Sequence, residues 1–120
     1  MIVYSSTFGQ IFICSQCRKI HLEFGNFSID FLNEGQLENF CKQLQQIDGR
    51  YYADLNKRSL YKRKIMIPIP NSTTKMLFTL EELGEIKALC RNFLNRNQAE
   101  LVKVTRIEVD FNTLSFQHLN

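Results

Sequence analysis

CSQCRKIHLEFGNFSIDF, residues 14–31, holds the clearest hairpin of the chain and its only closely spaced cysteine pair. Two apolar runs flank Gly25-Asn26, a dipeptide suited to a two-residue primed turn because both residues tolerate positive φ. If those residues turn, the register follows by counting. Phe24 faces Phe27, Leu22 faces Ile29 and Ile20 faces Phe31, while Glu23 faces Ser28 and His21 faces Asp30. One surface is wholly apolar and the other wholly polar, so a slip of one residue would turn the greasy side to water.

Upstream, residues 2–4 (IVY) and 11–14 (IFIC) are β-prone runs separated by a Ser/Thr/Gly stretch, either two strands or one broken at Gly9. Downstream the period changes. Leu37, Phe40, Cys41, Leu44 and Ile47 fall on one helical face, with Asn33 as N-cap and Gln36 placed to complete a capping box. Asp48-Gly49 reads as the stop, Gly49 being free to turn left-handed. Residues 50–64 read as a polar loop leading into the strand KIMIPIP, where Ile65, Ile67 and Ile69 point inward. Pro68 and Pro70 confine that strand to an edge. KMLF is its partner, and Thr79-Leu80-Glu81-Glu82 opens a second helix whose stripe is Leu83, Ile86, Cys90, Phe93 and Leu94, joined by Leu80 and Leu89. Ile107, Val109 and Phe111 favour a last strand, with helical continuation through Leu101 the alternative.

The helical halves echo each other at an offset of 46, Leu37 matching Leu83, Phe40 matching Ile86 and Leu44 matching Cys90. Half-repeats at 11–48 and 62–98 would each be ββα. The echo suits internal duplication and shared amphipathic grammar equally well. The expected fold is α+β, an antiparallel sheet with two amphipathic helices packed on one face, in a single domain over 1–120.

Ten Phe and 44% hydrophobic residues give enough apolar mass for a core without staples. A net charge of +3 does not by itself imply nucleic acid. The amino terminus lacks the pattern of a secretory signal, and no apolar run approaches the roughly 20 residues that span a bilayer. A cytoplasmic protein without a membrane partner is expected, its four cysteines being thiols or metal ligands rather than disulfides.

Cys14-x2-Cys17 has the spacing of a zinc knuckle, and His21, four residues on, offers a third ligand. A second copy could complete the coordination in a homodimer. The plainer reading is two reduced thiols. Arg18 stands where metal knuckles usually carry Gly, Cys41 and Cys90 sit in apolar stripes as small hydrophobes, and His118 is remote. Dithiol chemistry lacks a helix terminus to stabilise a thiolate. His21 opposite Asp30 is an acid/base pair, a metal ligand with its orienting carboxylate, or a surface ion pair. Arg50, Lys57, Arg58, Lys62, Arg63 and Lys64, interleaved with Tyr51, Tyr52 and Tyr61 against Asp54, carry a local charge of +5 and leave the rest at −2. They could neutralise phosphates while the tyrosines stack on bases, or simply keep a strand edge soluble. No GxGxxG, GxxxxGK[ST], HExxH or GxSxG occurs, so no enzymatic activity is expected.

Cys14, Cys17, Phe24-Gly25-Asn26, Leu37, Phe40, Ile67-Pro68-Ile69-Pro70 and the run from Leu80 to Leu89 together resemble a family of small uncharacterised bacterial proteins known as a domain of unknown function. The likeness covers about residues 10–95 and departs at Arg18 and after Gln98. It implies a single compact domain and no particular activity. Three readings of function stand: a structural or protein-interaction module with a zinc half-site, a nucleic-acid binder, and a thiol oxidoreductase.

Overall fold

A computed structural model describes residues 2–69 and 71–96 and the backbone of 106–108. Pro70, Val109, Phe111 and His118 lie outside the described residues, as does the end of the second half-repeat beyond residue 96. The chain runs β1 (Val3–Ser5), β2 (Gly9–Ile13), β3 (Ile20–Phe24), β4 (Phe27–Phe31), α1 (Glu34–Gln45), α2 (Gly49–Leu55), β5 (Ile65–Pro68), β6 (Lys75–Phe78), α3 (Leu80–Leu94) and β7 (Arg106–Glu108). The fold is α+β.

The hairpin forms in the expected register, from Phe24 opposite Phe27 to Ile20 opposite Phe31. Gly25 alone in the turn takes a positive φ, +59°, which is the pattern of a II′ turn, where only the first central residue is left-handed. β3 also pairs antiparallel with β2, and β2 with β1, so that Tyr4, Ile11, Leu22 and Ile29 line up across four strands. That row faces the helices; Ile11 and Leu22 are fully buried. The next row, Val3, Phe12, His21 and Asp30, lies on the opposite side of the pleat. β7 joins β1 in parallel, giving the order β4-β3-β2-β1-β7.

The second hairpin, β5–β6, does not extend this sheet but forms its own. Phe78 joins the two layers, its ring 6.1 Å from that of Phe24 and 6.2 Å from that of Phe27. The two expected helices are joined by a third. The segment read as a loop begins with α2, because Asp48 is an N-cap whose side chain accepts from the backbone N–H of Tyr51 at 3.1 Å. Gly49 is not left-handed. It is a glycine because a Cβ there would stand 2.8 Å from a methyl of Leu80 and 3.0 Å from one of Leu83. Asn33 caps α1 as expected, but Gln36 reaches past it to the backbone N–H of Leu32.

α3 has the full capping box between Thr79 and Glu82. It is buried all round from Glu82 to Cys90 rather than along one stripe. Two of its polar residues are therefore tethers. Glu85 accepts from Ser6 Oγ at 2.5 Å and from the Phe8 N–H at 2.7 Å, and Lys87 Nζ donates to the Ile47 carbonyl at 2.8 Å. Among the described residues no helix is long and apolar enough to cross a membrane.

Glu82 also takes a bidentate contact from Arg63 at 2.9 Å. Burial alone would raise the Glu82 carboxyl, but the Arg63 guanidinium and the Thr79 N–H outweigh it and hold it below the ordinary 4.5. A carboxyl depressed by folding stabilises the native state above its unfolded pKa, and that contribution is lost as pH falls through the folded value. Arg63 is half exposed, so solvent screening limits the pair. Arg63→Gln is expected to lower the thermal midpoint at neutral pH, by an amount that shrinks as pH falls through the folded Glu82 value, measured by thermal unfolding from neutral into acid pH.

Candidate metal centre

Residues 14–19 join β2 to β3 in a turn closed from both ends. The Cys14 N–H donates to the Lys19 carbonyl at 2.9 Å, and the Arg18 N–H donates to the Cys14 carbonyl at 3.0 Å. Arg18 adopts φ +60°, a conformation that costs an L-residue with a Cβ roughly 1–2 kcal/mol. The backbone thus takes the left-handed step that glycine would make more cheaply.

The turn folds its own N–H groups onto the first thiol. The Cys17 N–H lies 3.5 Å from Cys14 Sγ. Together with the N–H of Gln16 it holds the Cys14 thiol down to about 6, with smaller help from the Cys17 and His21 side chains. CSQC has no helix terminus beside it, as its sequence implies, but the turn itself supplies N–H groups. A helix terminus is one way to aim N–H dipoles at sulfur, and a tight turn is another.

His21 sits on β3 across from Asp30 on β4, and the pair is made: Nδ1 to Oδ1 is 2.6 Å. The far ring nitrogen, Nε2, is 3.2 Å from Cys17 Sγ. The Asp30 carboxylate first, and Cys17 second, raise His21 to about 9. In metal-free protein near neutral pH the ring therefore carries both protons, and a cation binding at Nε2 displaces one of them. The ring plane is fixed from behind by Asp30 and flanked by Phe12, its centroid 5.4 Å away.

Cys14 Sγ, Cys17 Sγ and His21 nitrogen all lie within 4.8 Å of one another. Ligands at zinc's usual bond lengths in a tetrahedron stand about 3.6–3.8 Å apart, so small side-chain rotations bring all three onto one ion. Two soft thiolates and an imidazole are a zinc donor set. Asp30 supplies the carboxylate that commonly backs a metal-bound histidine, fixing which nitrogen faces the metal. Asp30→Asn, which keeps the shape and removes the charge, is expected to weaken zinc binding about 10–100-fold in a competitive chelator titration.

The other cysteines stay out. Cys41 and Cys90 are buried in the core and burial pushes both thiols up. All four cysteines are free.

The basic stretch is divided by the fold. Arg63 is committed to Glu82, and Lys64 Nζ donates to the carbonyls of Ser59 at 2.6 Å and Tyr61 at 3.0 Å. Tyr51 and Tyr52 pack edge to face with centroids 5.3 Å apart. The side chains of Arg50, Lys57, Arg58 and Lys62 make no hydrogen bond or ion pair among the described residues.

A family profile described as "Family of unknown function (DUF6686)" matches residues 1–114. No curated protein matches the chain, and no solved structure does.

Proposed function

This chain belongs to that family of unknown function, and we propose that it is a non-enzymatic, zinc-binding structural or interaction module. Cys14, Cys17 and His21 hold the ion, Asp30 orients His21, and no fourth ligand comes from the described residues. The observation that carries this reading is the convergence of two sulfurs and one ring nitrogen within 4.8 Å, with the other ring nitrogen already occupied by Asp30. Bound zinc would tie the β2–β3 turn to β3 and, through Asp30, to β4. Two thiolates cancel the ion's charge; a Cys2His set is catalytic when water fills the fourth position and structural when a fourth protein ligand closes it, and the structural role proposed here is the second case. Four free thiols suit a reducing, cytoplasmic setting.

The test is elemental analysis of protein purified without an affinity metal. About one zinc per chain is expected, with a thermal midpoint that falls by roughly 5–15 °C when a chelator strips the ion. Metal-free protein that takes up no added zinc, with both surface thiols titrating freely, overturns the reading.

A further inference from the structure

The turn after α2 exposes apolar side chains interleaved in sequence with exposed cations. Leu60 is 102% exposed, as bare as in an extended peptide, and Tyr61 and Leu55 are 69% and 63% exposed. Lys57, Arg58 and Lys62 surround them in sequence and have no partner among the described residues. The apex is held in place. The Ser59 N–H donates to the Asn56 carbonyl at 2.9 Å and the Tyr61 N–H to Ser59 Oγ at 3.2 Å. Asn56 Nδ2 binds the Lys64 carbonyl at 2.8 Å, and Lys64 Nζ clamps the carbonyls of Ser59 and Tyr61 from below. A lysine that could have added to the surface charge is used instead to fix the shape of the turn.

We propose that residues 55–62 dock the protein on an anionic phospholipid surface, with Leu60 and Tyr61 entering the interface and Lys57, Arg58 and Lys62 over the headgroups. Binding at a membrane surface scales with the apolar area buried in it and with the attraction of basic residues to anionic lipids, and this turn supplies both. Tyrosine suits the boundary between hydrocarbon and water. Nucleic acid shares the charge requirement and Tyr61 offers a base one ring, but Leu60 at the apex has no π-face, and Arg63 and Lys64 are already committed within the fold. A surface contact of this kind needs no spanning helix.

The experiment is flotation of the full chain with phosphatidylcholine vesicles, with and without phosphatidylglycerol, beside a titration with single-stranded RNA. Binding only to the phosphatidylglycerol vesicles, weakening with salt, is expected. Leu60→Ser should lower it about tenfold, and the combined Lys57→Gln, Arg58→Gln and Lys62→Gln variant about a hundredfold. Leu60→Trp should show a blue-shifted emission on those vesicles. All these side chains are exposed, so unchanged thermal midpoints confirm that the variants fold. Equal flotation with both vesicles, no flotation, Leu60→Ser binding like the parent, or RNA binding tighter than vesicle binding would each overturn the proposal.

Discussion

Cys17→Ser is expected to reduce zinc affinity on the order of a hundredfold to a thousandfold while leaving the metal-free fold intact. The hydroxyl is a much poorer zinc ligand than a thiolate, and the site has only two sulfurs to offer. Cys17 is exposed at the tip of its turn, and the hydrogen bonds that close the turn are made by backbone groups of Cys14, Arg18 and Lys19. Nothing in the core depends on the Cys17 sulfur. Cys14→Ser should match it in affinity, whereas Cys90→Ser should leave affinity alone and lower stability, since that thiol is fully buried. Competitive titration against a zinc chelator, paired with metal-free thermal unfolding, separates the two effects. Equal affinities for Cys17→Ser and the parent would remove Cys17 from the site.

Phe78→Ala is expected to be among the most damaging core substitutions, costing about 3–5 kcal/mol. The ring is 1% exposed and touches Phe24 and Phe27 of the larger sheet from the smaller one. Its loss would leave a cavity at the seam between two hairpins that share no ladder, where neither sheet can close the gap by sliding along its own register. Phe78→Leu should recover most of the stability, because it restores volume without the edge-to-face contacts. Denaturant unfolding of both variants reads the difference in midpoint. A Phe78→Ala cost below about 1 kcal/mol would mean that the seam is not packed as described.

The parts of this fold that were legible from sequence are those fixed by short-range periodicity. Alternation about Gly25-Asn26 gave the hairpin register, and with it the pairing of His21 with Asp30. The Thr79–Glu82 box likewise marked the start of α3. What was not legible depended on tertiary neighbours. Asp48-Gly49 suits a helix end as well as a helix beginning, and the methyls of Leu80 and Leu83 that demand a glycine come from a distant helix. Glu85 and Lys87 look solvated on a helical wheel, yet α3 is covered on every side and both are spent on backbone tethers. The parallel pairing of β7 with β1 joins opposite ends of the chain, beyond any local pattern.

The candidate site divides the same way. CxxC and the nearby histidine stand in the sequence as residue types at a spacing. The left-handed Arg18 and the N–H groups aimed at Cys14 are properties of backbone conformation, which residue identity at those positions does not announce. Arg18 counts against a metal knuckle in the sequence because glycine is the easy occupant of such a bend, yet the backbone there is left-handed all the same.

Zinc-edge X-ray absorption on the zinc-loaded protein tests the central claim most directly. Coordination by Cys14, Cys17 and His21 predicts two sulfurs at about 2.3 Å and an imidazole nitrogen at about 2.0–2.1 Å, with one further ligand atom. A shell of nitrogen and oxygen alone, without sulfur, would contradict it.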